Sequence, residues 1–215
     1  MSDMELVIGN KNYSSWSLRP WLAMTHAGIP FAETVIPFDF ENGNPEIRKV
    51  SPSGKVPLLK DGDLVIWETL AILEYVAERF PDAGLWPKEA PARARARSVS
   101  AEMASGFSAL RAACPMNMRR KPSCYGIDEA AQADVERVIE LWHDCLSRSG
   151  GPFLFGEFTI ADAMYAPVVS RFETYELTDD PDALAYMARI IALPAWKSWR
   201  EAGERESWVV AASEI

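Results

Sequence analysis

Residues 51–69 read SPSGKVPLLKDGDLVIWET, and this stretch carries the clearest structural signal in the chain. Two short apolar runs, residues 56–60 and 64–67, flank the turn Asp61-Gly62-Asp63. An Asp-Gly pair between two apolar runs is a strong hairpin signal. From Thr69 onward the apolar residues take helical spacing, so the stretch predicts a strand, a second strand and a helix.

The sequence before this hairpin predicts a strand, a helix and another strand. Residues 5–9 form a short apolar run, a helical pattern begins at Ser14 or Ser15 and ends near Gly28, and residues 31–36 are again strand-like. Two strands joined by a helix are typical of a parallel pair with a crossover. The whole order, strand-helix-strand followed by strand-strand-helix, is that of a thioredoxin-like domain.

The second half of the chain is predicted to be entirely helical. A Pro- and Gly-containing break falls at residues 81–87. Helical patterns follow at residues 91–114, 128–149, 159–175 and 182–193. We therefore expect an α/β domain over residues 1–83, a linker over 84–90 and an all-helical domain over 91–215.

Composition and charge narrow the classes of function. The chain has 215 residues, of which 48% are hydrophobic, and its net charge is −9. Nucleic-acid affinity depends largely on Lys and Arg at phosphates, so a nucleic-acid partner is not expected. An uncharged apolar run of about 18 residues is missing, as is a basic segment followed by an apolar run. We expect neither a membrane span nor a secretory signal.

Cysteine and histidine usage gives no metal signal. The three cysteines, Cys114, Cys124 and Cys145, form no CxxC motif, and their spacing fits no zinc module. We therefore expect no metal site. Reduced thiols are the simplest interpretation, and they favour a cytoplasmic protein. The basic residues within 93–97 are interpreted as a solvated or interface face, with an acidic partner as the alternative.

The segment Tyr13-Ser14-Ser15-Trp16-Ser17-Leu18-Arg19 lies where the first strand ends and the first helix begins. A helix N-terminus has unpaired N–H groups and carries about half a positive charge. A serine hydroxyl placed there can donate a hydrogen bond to a ligand thiolate and lower the pKa of that thiol. Plain helix capping is the alternative, because serine is a good cap.

Two further elements are suited to a peptide-like ligand. A cis bond at Val56-Pro57 would turn the Val56 backbone outward, where it can pair with a peptide as an added strand does; an ordinary trans proline is the alternative. Thr69 begins the third helix, so its hydroxyl and nearby N–H groups could hold a carboxylate, while Glu68 pairs with an ammonium group. A cap and a surface acid are the alternative for this pair.

Together, these elements resemble the glutathione transferase superfamily. The matching patterns are SSxSxR at residues 14–19, SPxGKVPxL at 51–59 and WETLAIxEY at 67–75. The resemblance covers nearly the whole chain, because Gly84–Pro87 matches the family's linker and Phe158–Asp162 its helix-capping motif. In that motif Thr159 caps the helix and Asp162 returns the bond, which is a structural role. The serine-using, zeta-like and maleylacetoacetate-isomerase-like members are the most similar.

The resemblance implies a fold, an activity and a set of site residues. The fold is a thioredoxin-like α/β domain followed by an all-α domain, and the activity is conjugation of the glutathione thiolate to a small electrophile. Ser14 is implied as the thiol activator, with Ser15 as a neighbouring contact and Tyr13 as a rival. The residues implied to bind the co-substrate glutathione are Ser15, Lys55, Val56, Pro57, Glu68 and Thr69. A cytoplasmic homodimer with a role in detoxification is also implied.

The electrophile is expected between the domains, against a long helix that contains Met103, Phe107 and Arg111. Helical spacing there is equally typical of plain core. Trp16 replaces a cysteine of the isomerase pattern, and Thr174 stands where isomerases tend to have an arginine. Both departures weigh against isomerase activity, which stays an alternative.

A non-catalytic binding or regulatory protein is the other alternative, because fold does not fix function. A glutaredoxin or cysteine-type transferase is disfavoured. Such a protein needs a cysteine at the activating position to form a mixed disulfide, and no cysteine precedes Cys114.

Overall fold

A computed structural model describes residues 4–215. The first part of the chain forms a four-stranded mixed sheet. Its strands are β1 (Met4–Ile8), β2 (Ala32–Val35), β3 (Leu58–Asp61) and β4 (Leu64–Trp67), in the spatial order β2-β1-β3-β4. β1 pairs in parallel with β2 and antiparallel with β3, and β3 pairs antiparallel with β4. The predicted hairpin and the thioredoxin-like order of elements are confirmed.

Helices pack on this sheet and make up most of the chain outside it. The helices among the strands are α1 (Ser15–His26), α2 (Pro45–Val50) and α3 (Thr69–Arg79). After a single 3₁₀ turn at Pro81–Ala83 come α4 (Ala90–Ser105), α5 (Ser108–Ala113), α6 (Glu129–Ser149), α7 (Ile160–Tyr175), α8 (Pro181–Ala192) and α9 (Pro194–Arg205). The expected fold class, an α/β part followed by a helical part, is therefore confirmed.

The helix predicted over residues 91–114 is in fact two helices, α4 and α5. The chain is extended at Gly106, and Phe107 has φ +55°, in the left-handed region. A Cβ at Gly106 would lie 2.8 Å from the Glu102 carbonyl oxygen, which favours glycine there. A second difference is α9, which the sequence patterns did not predict; it starts at Pro194, separated from α8 by Leu193 alone.

The α/β part and the helical part share one hydrophobic core. Helix α1 packs on both α7 and α9. The Trp21 ring meets the edge of Trp199 with 5.1 Å between centroids, and Arg19 Nε donates to the Met164 carbonyl at 2.9 Å. Because α1 carries the serine motif at its N-terminus, the helical part helps to fix the position of that motif. In residues 4–215, no helix is both long and apolar enough to cross a membrane.

Candidate active site

Ser14 ends the loop after β1, and α1 begins at the next residue. Ser14 and Ser15 are 5% and 9% exposed. The Ser14 hydroxyl donates to Ser17 Oγ at 2.7 Å, and Ser17 Oγ accepts the N–H of Gly9 at 3.1 Å. The hydroxyl thus bonds to Ser17 rather than capping α1. Ser17, the fifth residue of the segment that begins at Tyr13, is a supporting residue to which no sequence pattern assigned a role.

Tyr13, the rival activator, has its hydroxyl committed elsewhere. The hydroxyl donates to the Glu214 carboxylate and accepts a hydrogen bond from Arg119. Burial, and then the bond to Glu214, raise the pKa of Tyr13. A tyrosine that stabilises a thiolate must aim its proton at the sulfur, whereas this one aims it at a carboxylate. The geometry therefore favours a serine over Tyr13.

The loop before β3 presents the Val56 backbone. The Val56-Pro57 bond is cis, as expected. β3 begins only at Leu58, which pairs with Val7, so Val56 lies beyond the end of the ladder. The Ser51 hydroxyl fixes this loop, since it donates to the Lys55 carbonyl at 2.6 Å and accepts the Lys55 N–H at 3.2 Å.

Glu68 and Thr69 form the start of α3. Glu68 has φ +68°, a left-handed conformation that is costly for a residue with a side chain, and such conformations cluster at functional sites. The Thr69 hydroxyl is only partly available, because it donates to the Trp16 carbonyl at 3.0 Å. The N–H groups in the first turn of α3 remain available to bind a ligand carboxylate. The prediction that the Thr69 hydroxyl and these N–H groups hold a carboxylate stays a prediction, and the hydroxyl would have to leave the Trp16 carbonyl to take part.

Two adjoining cavities bring these stretches together. The first has a volume of about 760 Å³, and its wall includes Ser14, Ser15 and Arg48. The second has a volume of about 450 Å³ and is lined by Pro57, Glu68, Thr69 and Arg111, among others. The residues common to both walls are Trp16, Ser53, Lys55 and Val56. The volumes are in the range typical of small-molecule sites, roughly 300–1,000 Å³.

The candidate second-substrate residues are not brought together. Met103 and Phe107 are 0% and 5% exposed and belong to the hydrophobic core, whereas Arg111 lines the second cavity. The break between α4 and α5 falls between Met103 and Arg111, so the three residues do not share one continuous helical face. The first cavity is instead walled by Phe38 and Phe40.

The C-terminal segment supplies a wall that the sequence patterns did not indicate. Val210 and Ser213 line the first cavity. The segment is held by Arg119, whose guanidinium donates to the Trp208 carbonyl at 2.9 Å and contacts Glu214. The sequence of this C-terminal segment has no motif that indicates a site. The segment lines the cavity because α9 ends close to it.

Asp162 is structural, as the capping motif predicted. Its carboxylate accepts the N–H groups of Thr159 at 2.8 Å and Leu154 at 3.0 Å, and the hydroxyls of Thr159 and Tyr186 at 3.1 Å each. Complete burial raises the pKa of Asp162 to about 6 in spite of these donors. In the described part of the chain, no cluster of three or more His, Cys, Asp and Glu side chains is arranged to hold a metal ion.

Comparisons with known proteins identify the family to which this chain belongs. Residues 13–79 match the glutathione S-transferase N-terminal domain, and residues 125–202 match the C-terminal domain. A glutathione S-transferase of Hyoscyamus muticus is 31% identical over 160 residues, which span 68% of this chain and 74% of that protein. The chain belongs to the glutathione S-transferase family.

Two other relatives extend the comparison. A probable maleylacetoacetate isomerase of Caenorhabditis elegans is 29% identical over 183 residues, 84% of this chain and 85% of that protein. A solved structure, a glutathione transferase homologue from Burkholderia gl BGR1 with bound glutathione, superposes with a TM-score of 0.74 at 22% identity. That alignment covers 94% of this chain and 99% of the other, and it shows the shared fold.

Proposed function

We propose that the protein is a glutathione transferase in which Ser14 stabilises the thiolate of glutathione for attack on a small electrophile. The observation that carries this is the position of the Ser14 hydroxyl, at the wall of a cavity that adjoins the Val56 and Glu68 elements. Family membership supports it independently. The new carbon–sulfur bond takes its electron pair from the thiolate, and the electrophile's leaving group departs with its own pair.

Ser14 acts by electrostatic stabilisation. An alkanol is a poor base near neutral pH, so its use is to donate a hydrogen bond to the sulfur anion. When the Ser14 proton turns from Ser17 to the sulfur, the Ser17 hydroxyl can donate to Ser14 Oγ across the same 2.7 Å contact. Ser17 itself stays anchored by the Gly9 N–H. Ser15, also at the cavity wall, is the alternative activator.

The charged groups around the two cavities match those of glutathione. The tripeptide has two carboxylates and one ammonium group. Glu68 is placed to pair with the ammonium, and the N–H groups at the start of α3 with the neighbouring carboxylate. The Val56 backbone is proposed to pair with the cysteinyl unit. Lys55 and Arg48 line the first cavity and are proposed to pair with the glycyl carboxylate.

Isomerase activity is not part of this proposal, although one relative is named a probable isomerase. Thr174 is 5% exposed, and the neighbouring Arg171 is buried, with its guanidinium donating to the Cys114 and Pro167 carbonyls at 2.8 and 3.0 Å. The Arg171 guanidinium therefore donates to carbonyl groups in the core and is not directed at a substrate. A cytoplasmic homodimer acting in detoxification is retained in the proposal because the family resemblance implies it.

The test measures thiolate formation directly. Ultraviolet absorbance of bound glutathione is followed against pH for wild type, Ser14→Ala and Ser15→Ala. We expect Ser14→Ala to raise the pKa of the bound thiol by roughly one to two units, since a hydrogen bond to an anion contributes ~1.5–3 kcal/mol. Turnover of chlorodinitrobenzene should fall more than glutathione affinity does.

Ser15→Ala is the matched control for damage to the start of α1. If wild type and Ser14→Ala titrate identically, the assignment of Ser14 is wrong. If Ser15→Ala alone shifts the curve, Ser15 is the activator. Absence of glutathione binding to wild type at millimolar concentration, measured by calorimetry, would overturn the function itself.

A further inference from the structure

The loop that leads into Ser14 is bonded mainly to the helical part of the molecule. Lys11 and Asn12 lie at its centre, 8% and 0% exposed. Their four backbone polar groups all bond outside the α/β part. The Lys11 carbonyl accepts the Trp199 indole N–H at 2.9 Å, and the Asn12 carbonyl accepts the Met118 N–H at 3.2 Å.

Glu206 takes the two remaining groups. Its Oε1 accepts the Lys11 N–H at 2.7 Å, and its Oε2 accepts the Asn12 N–H at 3.0 Å. Glu206 is the residue immediately after α9, so the end of that helix aims one carboxylate at two consecutive amides. Partial burial raises the pKa of Glu206, while the two amides, Lys11 and Arg119 act in the opposite direction.

Gly203, one turn earlier on α9, permits this close approach. A Cβ at Gly203 would lie 3.1 Å from the Asn12 backbone nitrogen and 3.1 Å from the Lys11 carbonyl carbon. Both distances are tighter than ordinary packing of a methyl group. The end of α9 and the loop are therefore fitted to each other at backbone distance.

The position of the loop is transmitted to Ser14. The Asn10 carbonyl accepts the N–H groups of Tyr13 at 3.2 Å and Ser14 at 2.8 Å, which makes the loop a closed turn. A displacement of Lys11 and Asn12 therefore moves Ser14 with them. Stabilisation of a developing or bound anion depends steeply on where the donor stands, and a shift of about 1 Å can cost on the order of 100-fold in rate.

We propose that Glu206 is a positioning residue for the thiol-activating serine, acting through the Lys11 and Asn12 amides from the end of α9. The proposal rests on the proposed function, because it assigns Glu206 to the same reaction. It makes the helical part a component of thiol activation and not only a wall for the electrophile. Glu206 itself touches neither substrate.

The experiment compares Glu206→Gln and Gly203→Ala with Glu204→Ala. In Glu206→Gln, an NH₂ group replaces one of the two carboxylate oxygens and faces a backbone N–H of Lys11 or Asn12, so one hydrogen bond is lost. In Gly203→Ala, the new Cβ presses on the backbone of the same two residues. Glu204 is an exposed acid on the same helix and serves as the control. The readouts are kcat and KM for glutathione, the pH titration of the bound thiol, and the thermal midpoint of unfolding.

We expect Glu206→Gln and Gly203→Ala each to lower kcat on the order of ten-fold, with the glutathione KM within about three-fold of wild type. The pKa of the bound thiol should rise by about half a unit or more in both. Glu204→Ala should match wild type in every readout.

Three outcomes of this experiment would contradict the proposal or the function on which it rests. If both variants lower the thermal midpoint but leave the thiol titration of the folded protein unchanged, Glu206 is merely structural and the proposal is wrong. If the titration responds to Ser14→Ala but not to Glu206→Gln or Gly203→Ala, the proposed function survives and this inference fails. If wild type forms no thiolate at all, the proposed function fails first.

Discussion

At the scale of single residues, Glu68 shows how a local conformation can point to a ligand. Its φ of +68° places an exposed acid at the rim of the second cavity, beside the N–H groups that open α3. Strain of this kind costs about 1–3 kcal/mol and persists where the surroundings enforce it. Here it aims a negative charge at the place where an ammonium group would lie.

Glu68→Ala is accordingly expected to weaken glutathione binding by ~1–3 kcal/mol, because the ligand's ammonium group loses a charged partner. Isothermal calorimetry measures the change. Glu78→Ala, an exposed acid on the same helix, is the control and should bind as wild type does. Equal affinities of the Glu68 and Glu78 variants would contradict the proposed orientation of glutathione.

At this scale, local patterns predict residues that occur in motifs, and they give no signal for residues that would act from a distance. Ser14, Val56, Glu68 and Thr69 each stand at a predicted strand end or helix start, where chain geometry exposes backbone groups. Glu206 stands at the end of a helix that was not predicted. Its two hydrogen bonds cross 194 and 195 residues of chain, and no local pattern records them.

At the scale of elements, the predicted strand ends lie within two residues of those in the structure, whereas the helix faces were less well predicted. Helical spacing after Thr69 predicts one apolar face made of Leu70, Leu73, Ala77 and Phe80. The fully buried apolar residues of α3 are instead Ile72, Leu73 and Val76. Apolar residues surround this helix, which packs on α1, α4 and the sheet. Periodicity alone cannot choose a face when several sides are covered.

The start of α7 offers a test of element stability. Asp162 accepts four hydrogen bonds and is completely buried, so Asp162→Ala leaves several buried donors unpaired. We expect a loss of roughly 3–5 kcal/mol in the free energy of unfolding. Asp128→Ala removes an ordinary cap at the start of α6, where the carboxylate accepts the Ala131 N–H at 2.8 Å, and should cost about 1 kcal/mol. Urea unfolding monitored by circular dichroism measures both, and similar losses would contradict a special role for Asp162.

At the scale of the whole molecule, the second part of the chain completes the site of the first. Helix α9 fixes the loop before Ser14, and the segment after it walls the first cavity with Val210 and Ser213. The sequence predicted the two-part architecture from its change of pattern near residue 84. The sequence did not predict that the C-terminal residues close the first cavity, because this closure depends on the path of the chain after residue 193.

Removal of residues 208–215 tests what this closure does. Val210 is the one buried residue of this segment, at 8% exposure, whereas Trp208 and Val209 are 46% and 68% exposed, so the truncated protein is expected to fold. Glutathione affinity should stay within about three-fold of wild type, because the proposed contacts at Val56 and Glu68 remain in place. Val210 and Ser213 line the same cavity as Ser14, where the thiolate is proposed to form and to meet the electrophile. Loss of this wall admits water there, so kcat/KM for apolar electrophiles should fall on the order of ten-fold. A series of aryl halides of increasing size measures this, and the loss should grow with the size of the halide because larger substrates depend more on the missing wall.

Glu214→Ala, which only breaks the contact with Tyr13 and Arg119, should cause a smaller loss of the same kind. An unchanged electrophile series in the truncated protein would show that the segment is a passive cover, and a loss confined to glutathione affinity would place the electrophile elsewhere.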